Sequence, residues 1–476
     1  MPFLVIAVAA GIPFAMMNHP RQPLPPGAQD RSAAAAIDAG STPAPPADET
    51  DVMHSWPQWR GPLKTGVAPH ADPPIHWSED DNLRWKIELP GKGHSTPIVW
   101  GDRVFVTTAV PAGDALPPRY SGRPGGHDEN PITHRVRFIV IAVDRGDGTI
   151  LWQRTVREDL PHEGGHVTSS LASASPVTDG RHVFASFGSY GLYCLDFDGE
   201  LKWQVDLGRL HTLHGHGEGS SPALHGNRLI LNWDHEGSSF VAAFDTRTGD
   251  LLWKTGRDVN SSWTTPVVVD HDGRTQVIVS GSRYVRAYDL ATGAMIWECR
   301  GLSTENVVSS PVAGNGMVYA GSTYDQRTLL AIRLDGAQGD ITGTGQVVWT
   351  RRRGASYVPS PLLYADSLYF IAHFSSILTR ADARTGSDQP GAMRLAGLYD
   401  VFSSPIAAAG RVYVTDRAGS TVVLTHDDDP QVLAVNRLED AFSASAAAVG
   451  RELFLRGERY LYCIAAAKPP SATEDR

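Results

Sequence analysis

The chain has 476 residues, long enough for two or three average domains, with 20% charged residues and a net charge of −10. That balance, with no basic run, speaks against a nucleic-acid backbone as partner. Three cysteines are too few for a disulfide framework.

Residues 1–17 are apolar throughout, interrupted by Pro2, Gly11 and Pro13. They read as a signal-peptide core or an anchor, so any membrane association is expected only through an uncleaved N-terminus. Residues 18–54 are rich in Pro and Ala and read as a disordered linker. Trp56 and Trp59 follow, and a plug against the folded domain fits them better than a sugar platform. From residue 55 to 468 the pattern is that of one domain, with residues 469–476 as a disordered tail. The expected setting is extracytoplasmic, periplasmic or envelope-associated.

Within that domain one phrase recurs eight times, at a spacing of 40 to 50 residues once an insertion is set aside. It starts with a Ser-x-Pro-like triplet: Ser95-Thr96-Pro97, Ala174-Ser175-Pro176, Ser220-Ser221-Pro222, Thr264-Thr265-Pro266, Ser309-Ser310-Pro311, Pro359-Ser360-Pro361, Ser403-Ser404-Pro405 and the degenerate Ala444-Ser445-Ala446. Short β-rich runs follow, then Asp-x-x-Thr-Gly and a Trp. In the turn, Asp accepts backbone N–H bonds and Gly supplies a positive φ. The Trp (Trp152, Trp203, Trp253, Trp297, Trp349) reads as an apolar wedge between sheets. Four short runs per copy and no helical periodicity predict an all-β, eight-bladed propeller of four-stranded antiparallel blades. Each sheet has two apolar faces, so only a closed ring covers all of them. The eighth copy lacks its Trp strand. Leu83–Leu89, which matches Leu201–Leu207 closely, is predicted to supply that strand around Trp85 and lock the ring. Cys194 and Cys463 then fall in blades two and eight and cannot pair.

Functional information lies where the copies differ. Residues 110–137 are a Pro/Gly/Arg/His-rich insertion in blade one, either functional or disordered. The segments leading into each innermost strand are predicted to ring one mouth of the central channel. They supply candidate ligand contacts at His94, His166, His214, His216, Glu218, Trp263, Tyr357 and Asp400. In an extended segment His214, His216 and Glu218 face one side, a set able to bind Zn²⁺. The alternative is a Gly/His loop that bonds only its own turn. His162, Glu163 and His166 carry the same chemistry. No nucleophile signature and no phosphate-binding loop is present.

The repeat Ala287-x-Asp289-x-x-Thr292-Gly293-x-x-x-Trp297 resembles the PQQ-like (quinoprotein-type) β-propeller repeat. Trp56-Pro-Gln-Trp-Arg-Gly-Pro62 is similar to the opening of secreted planctomycete-type members. The resemblance covers residues 56–467 and implies one of two roles. Quinoprotein dehydrogenases bind PQQ with calcium, and their adjacent cysteines and calcium set find no match here. BamB-like scaffold propellers carry no cofactor, although no Cys follows the apolar leader for a lipid anchor. The reading is a monomeric binding or assembly scaffold of the cell envelope, with a protein partner and no cofactor. The alternative is a quinoprotein-like oxidoreductase or a metal-dependent site at the channel mouth.

Overall fold

The computed structural model describes residues 48–466 except Ala392. The leader 1–17, the linker up to residue 47 and the tail 469–476 lie outside the described residues. Eight sheets follow one another in chain order. Blade 1 contains Ile98–Trp100, Arg103–Ala112, Arg135–Asp144 and Ile150–Asp159. Blades 2 to 7 span 177–205, 223–256, 267–300, 312–351, 362–394 and 406–437. Blade 8 combines 447–465 with Leu83–Glu88, which pairs antiparallel with Tyr460–Ala465, Trp85 opposite Cys463. The ring is an all-β, eight-bladed propeller locked by the strand around Trp85, as its sequence implied.

Middle strands are covered on both faces, so Phe240–Asp245 is buried at every position. The outermost strand of the same blade, Leu251–Gly256, buries little besides Trp253. These tryptophans join neighbouring blades. The indole N–H groups of Trp85, Trp152, Trp203, Trp253 and Trp349 donate to the carbonyls of Arg145, Phe197, Thr246, Leu290 and Ala383 in the next blade. Each ring covers the turn glycine there. At Gly249, φ is +73° and a Cβ would stand 2.8 Å from the Trp203 ring, so turn and wedge both demand glycine.

The recurring residue before each proline joins the blades near the axis. The backbone N–H groups of Thr96, Ser175, Ser221, Thr265, Ser310, Ser360 and Ser404 donate to the hydroxyls of Ser175, Ser221, Thr265, Ser310, Ser360, Ser404 and Ser445, each in the following blade, at 2.8–3.1 Å. The chain of bonds runs from blade 1 to blade 8. Across the remaining seam, Arg456 donates to Ser95 Oγ at 2.6 Å and to the Thr107 carbonyl. Glu452 binds Arg84 of its own blade and Arg145 of blade 1. The cysteines at 194, 299 and 463 are free and buried, in blades 2, 4 and 8.

The N-terminal segment closes one end of the channel, here called the far mouth. Trp56, fully buried, exchanges backbone bonds with Val99 of blade 1. The Pro57 carbonyl accepts from Thr178 N–H of blade 2. Arg60 donates to the carbonyls of Thr65, Pro361 of blade 6 and Pro405 of blade 7. Lys64 reaches the Val268 carbonyl of blade 4. Val67–Ala68 then pairs parallel with Ala407 and Ala408, and Trp77, 4% exposed, stacks near Tyr413. Trp77 N–H bonds Asn436 on the outermost strand of blade 7, a blade without its own Trp. The predicted linker needs one correction. Its last residues, Glu49–Met53, form a helical turn because Asp48 accepts from Thr50 N–H and Glu49 and Asp51 sit in the first turn.

Candidate functional site

The opposite, lead-in mouth is built from two sets of segments. One is the connections into each innermost strand. The other is the connections from second to third strand, which an antiparallel blade returns to the same end. The blade-1 insertion belongs to the second set. It lengthens its two flanking strands to ten residues each and folds over the lead-ins to blades 2 and 3. Asn130 N–H donates to the Gly165 carbonyl at 2.8 Å, and Val167 N–H to the Asp128 carbonyl at 2.7 Å. The Asn130 side chain donates to the His166 carbonyl at 2.9 Å. Arg123 binds Glu163 at 2.8 Å and touches His211. The insertion is therefore a docked flap.

Docking brings four imidazoles together. His127 of the flap lies 5.7 Å from His214 and 5.1 Å from His216, between ring centroids. His214 and His216 are 5.3 Å apart, and His166 is 5.0 Å from His216. Burial, then repulsion from His166, His214 and His127, pulls His216 down to about 4. Burial also lowers His166. Trp263 stands beside this group, its indole N–H on the Gly217 carbonyl at 2.6 Å.

Glu218 leaves the histidines. His214 has φ +56°, Gly215 +70° and Gly217 +87°, so the segment turns and the expected extended face does not form. Glu218 instead points between blades 2 and 3, where its carboxylate accepts from Ser189 N–H at 2.7 Å. Burial raises it to about 8. It lines a partly open cavity of about 40 Å³ with Tyr190, Asn232, Asp234, Ser262 and Trp263. At roughly 10–15 Å³ per water, that space takes about three waters.

The far side of the same mouth, over blades 5 to 7, has a different character. His373 Nδ1 lies 2.9 Å from Asp400, and Arg417 lies 3.3 Å from the other carboxylate oxygen. Burial pushes Asp400 up, but His373 and Arg417 outweigh it and hold the group below the usual range. His373 also touches Tyr357, Phe374 and Phe402. Phe374, Tyr399 and Tyr324 are 58%, 77% and 49% exposed. His94 lies apart from the imidazole group, near Lys92, Arg456 and Arg417, and burial, with those cations, pulls it down to about 3. Of the candidates read from sequence, His166, His214, His216 and Trp263 converge, Tyr357 and Asp400 share the aromatic side, and Glu218 and His94 stand separately. His127, His373 and Arg417 were missed. Their common signal is position between the second and third strands of a blade.

Among the described residues two groups place possible metal donor atoms within 4.8 Å of one another, His162–Glu163–His211 and His271–Asp272–Asp335, and the clustered imidazoles are not one of them. In the first, the Arg123 guanidinium already sits against Glu163 and His211. In the second, both carboxylates are exposed. No adjacent cysteine pair exists in the chain. No helix among the described residues is long and apolar enough to cross a membrane.

These features define a repeat propeller whose imidazole cluster and exposed aromatics gather at one mouth. The family described as "Outer membrane protein assembly factor BamB" matches residues 136–389 and 237–468, and the chain belongs to it. No curated protein matches the sequence. Among solved structures, the chain is similar to a quinohemoprotein alcohol dehydrogenase from Comamonas testosteroni, with 9% identity and a TM-score of 0.59 over 88% of this chain and 81% of that one. It is also similar to a europium-containing methanol dehydrogenase, with 10% identity and a TM-score of 0.56 over 87% and 99%. BamB from Moraxella catarrhalis aligns at 16% identity with a TM-score of 0.49 over 75% and 98%. At these identities the likenesses to the two dehydrogenases show the fold alone.

Proposed function

We propose that this protein is an extracytoplasmic binding and assembly scaffold of the cell envelope, without bound quinone, that receives a protein partner at its lead-in mouth. One observation carries the reading: the two mouths are unequal. The far mouth is filled by the chain's own residues 56–68, whereas the lead-in mouth presents Tyr324, Phe374 and Tyr399 to solvent. Exposed aromatics on a rigid frame are typical anchors of protein interfaces. The family description supports an envelope setting, and the apolar residues 1–17 support export.

The competing reading is a quinoprotein-like oxidoreductase, for which the fold of the dehydrogenases is the support. A photo-crosslinking residue placed at Phe374 or Tyr399 tests the scaffold. We expect a discrete adduct with an envelope protein, absent when the residue is placed at Leu251 on the outer rim. No adduct from the mouth positions overturns the scaffold reading. So does tight uptake of PQQ with Ca²⁺ that yields dye-linked alcohol oxidation.

A further inference from the structure

We propose that His127, His214 and His216, flanked by His166, bind one divalent first-row transition-metal ion with imidazole preference, Zn²⁺ being the reference case. The ring centroids are spaced as in a metal site, although the donor nitrogens do not yet converge and the rings must turn inward to share one ion. Zinc–nitrogen bonds are about 2.0–2.1 Å, which places ring centroids about 3.2 Å from the ion and about 5.2 Å from one another in a tetrahedron. The three mutual distances here are 5.7, 5.1 and 5.3 Å.

The ring nitrogens are prepared in the manner of ligands. His127 Nδ1 lies 3.0 Å from the Gly125 carbonyl, and His214 Nδ1 lies 3.1 Å from the Pro124 carbonyl. Each Nδ1–H donated to a carbonyl leaves the Nε2 lone pair bare, the usual outer-shell arrangement around a ligating histidine. His216 Nε2 is buried with no hydrogen-bond partner, a cost that a bound ion removes. Asp128, the residue next to His127, is close enough to both His166 and His216 to favour positive charge there. Three histidines leave a fourth position open to water, and His166 stands 5.0 Å from His216 and 6.5 Å from His127 at the edge of the group.

The ligands come from two separated segments. His127 is on the flap, and His214 and His216 are on the lead-in to blade 3. A bound ion would therefore fasten the flap over the mouth. This differs from the His214–His216–Glu218 set suggested by sequence, because Glu218 points into the cavity.

The test uses the full chain, stripped with a chelator and titrated with Zn²⁺ and with Co²⁺. We expect one ion per chain and a Co²⁺ visible spectrum of tetrahedral intensity. His127→Ala lies on the exposed flap and leaves the ring intact, and it should weaken Zn²⁺ binding at least ten-fold. The double variant His214→Ala/His216→Ala should abolish it, and Glu218→Gln should leave stoichiometry unchanged. Limited proteolysis should cleave the flap more slowly with Zn²⁺ than without. Absence of micromolar binding by the natural sequence overturns the proposal. So does unchanged affinity in His127→Ala.

Discussion

The two mouths of the propeller are made from the same eight repeats yet are unlike in every chemical respect. At the far mouth, residues 56–68 are tied to the innermost strands of blades 1, 2, 4, 6 and 7, mainly through backbone carbonyls and N–H groups. At the lead-in mouth the same frame carries imidazoles over blades 1 to 3 and exposed aromatics over blades 5 to 7. The far mouth can be sealed by a single segment because the innermost strands end alike. The lead-in mouth varies because insertions and strand connections meet there. Stability and recognition are thus assigned to opposite ends of one channel.

The sharpest way to break this comparison is Trp56→Ala. It removes a fully buried indole from the sealing segment and is expected to cost about 3–5 kcal/mol, read by denaturant unfolding. A smaller loss would mean that the seal is not part of the core. Next comes Ser221→Ala, which leaves the buried Ser175 N–H without its acceptor. The expected cost is about 1–3 kcal/mol, with little change at the lead-in surface.

A pH titration then probes the lead-in end. His94 is held neutral by burial, with a folded value of about 3 against an ordinary 6.5. The unfolded chain binds the extra proton first, so the contribution of neutral His94 is complete above about pH 6.5. It is lost progressively as pH falls toward the folded value. His94→Asn should flatten the stability loss between pH 6.5 and 4, and an unchanged acid limb would remove His94 as the cause. The smallest effect is expected from Phe374→Ser with Tyr399→Ser, within about 0.5 kcal/mol in stability. That pair should nonetheless abolish partner crosslinking from a photo-crosslinking residue placed at Tyr324.

Much of the frame was legible in the sequence because it repeats. The spacing of the Ser-x-Pro triplets gave the blade number, and the match of Leu83–Leu89 to Leu201–Leu207 located the closing strand. The role of the serines was not legible, since recurrence marks a position but not the neighbouring blade's N–H that it accepts. The site was legible only in part. His166, His214 and His216 were visible as a dense patch in chain order. His127 belongs with them only because the flap folds back, a contact 87 to 89 residues away from His214 and His216 in sequence. Glu218 was misplaced because positive φ values at His214, Gly215 and Gly217 destroy the period-two alternation on which the reading rested.

The closing strand has a consequence in time. Leu83 pairs with Ile464, so a chain synthesised from its N-terminus holds an orphan strand until residue 464 emerges. Pairing at such sequence separation forms slowly, because the loop between the partners must close first. Until then the eighth blade is incomplete and the first blade has an uncovered flank. A nascent chain therefore closes its ring only after residue 465 has emerged, and loss of the strand Tyr460–Ala465 would leave both ends of the ring without a partner.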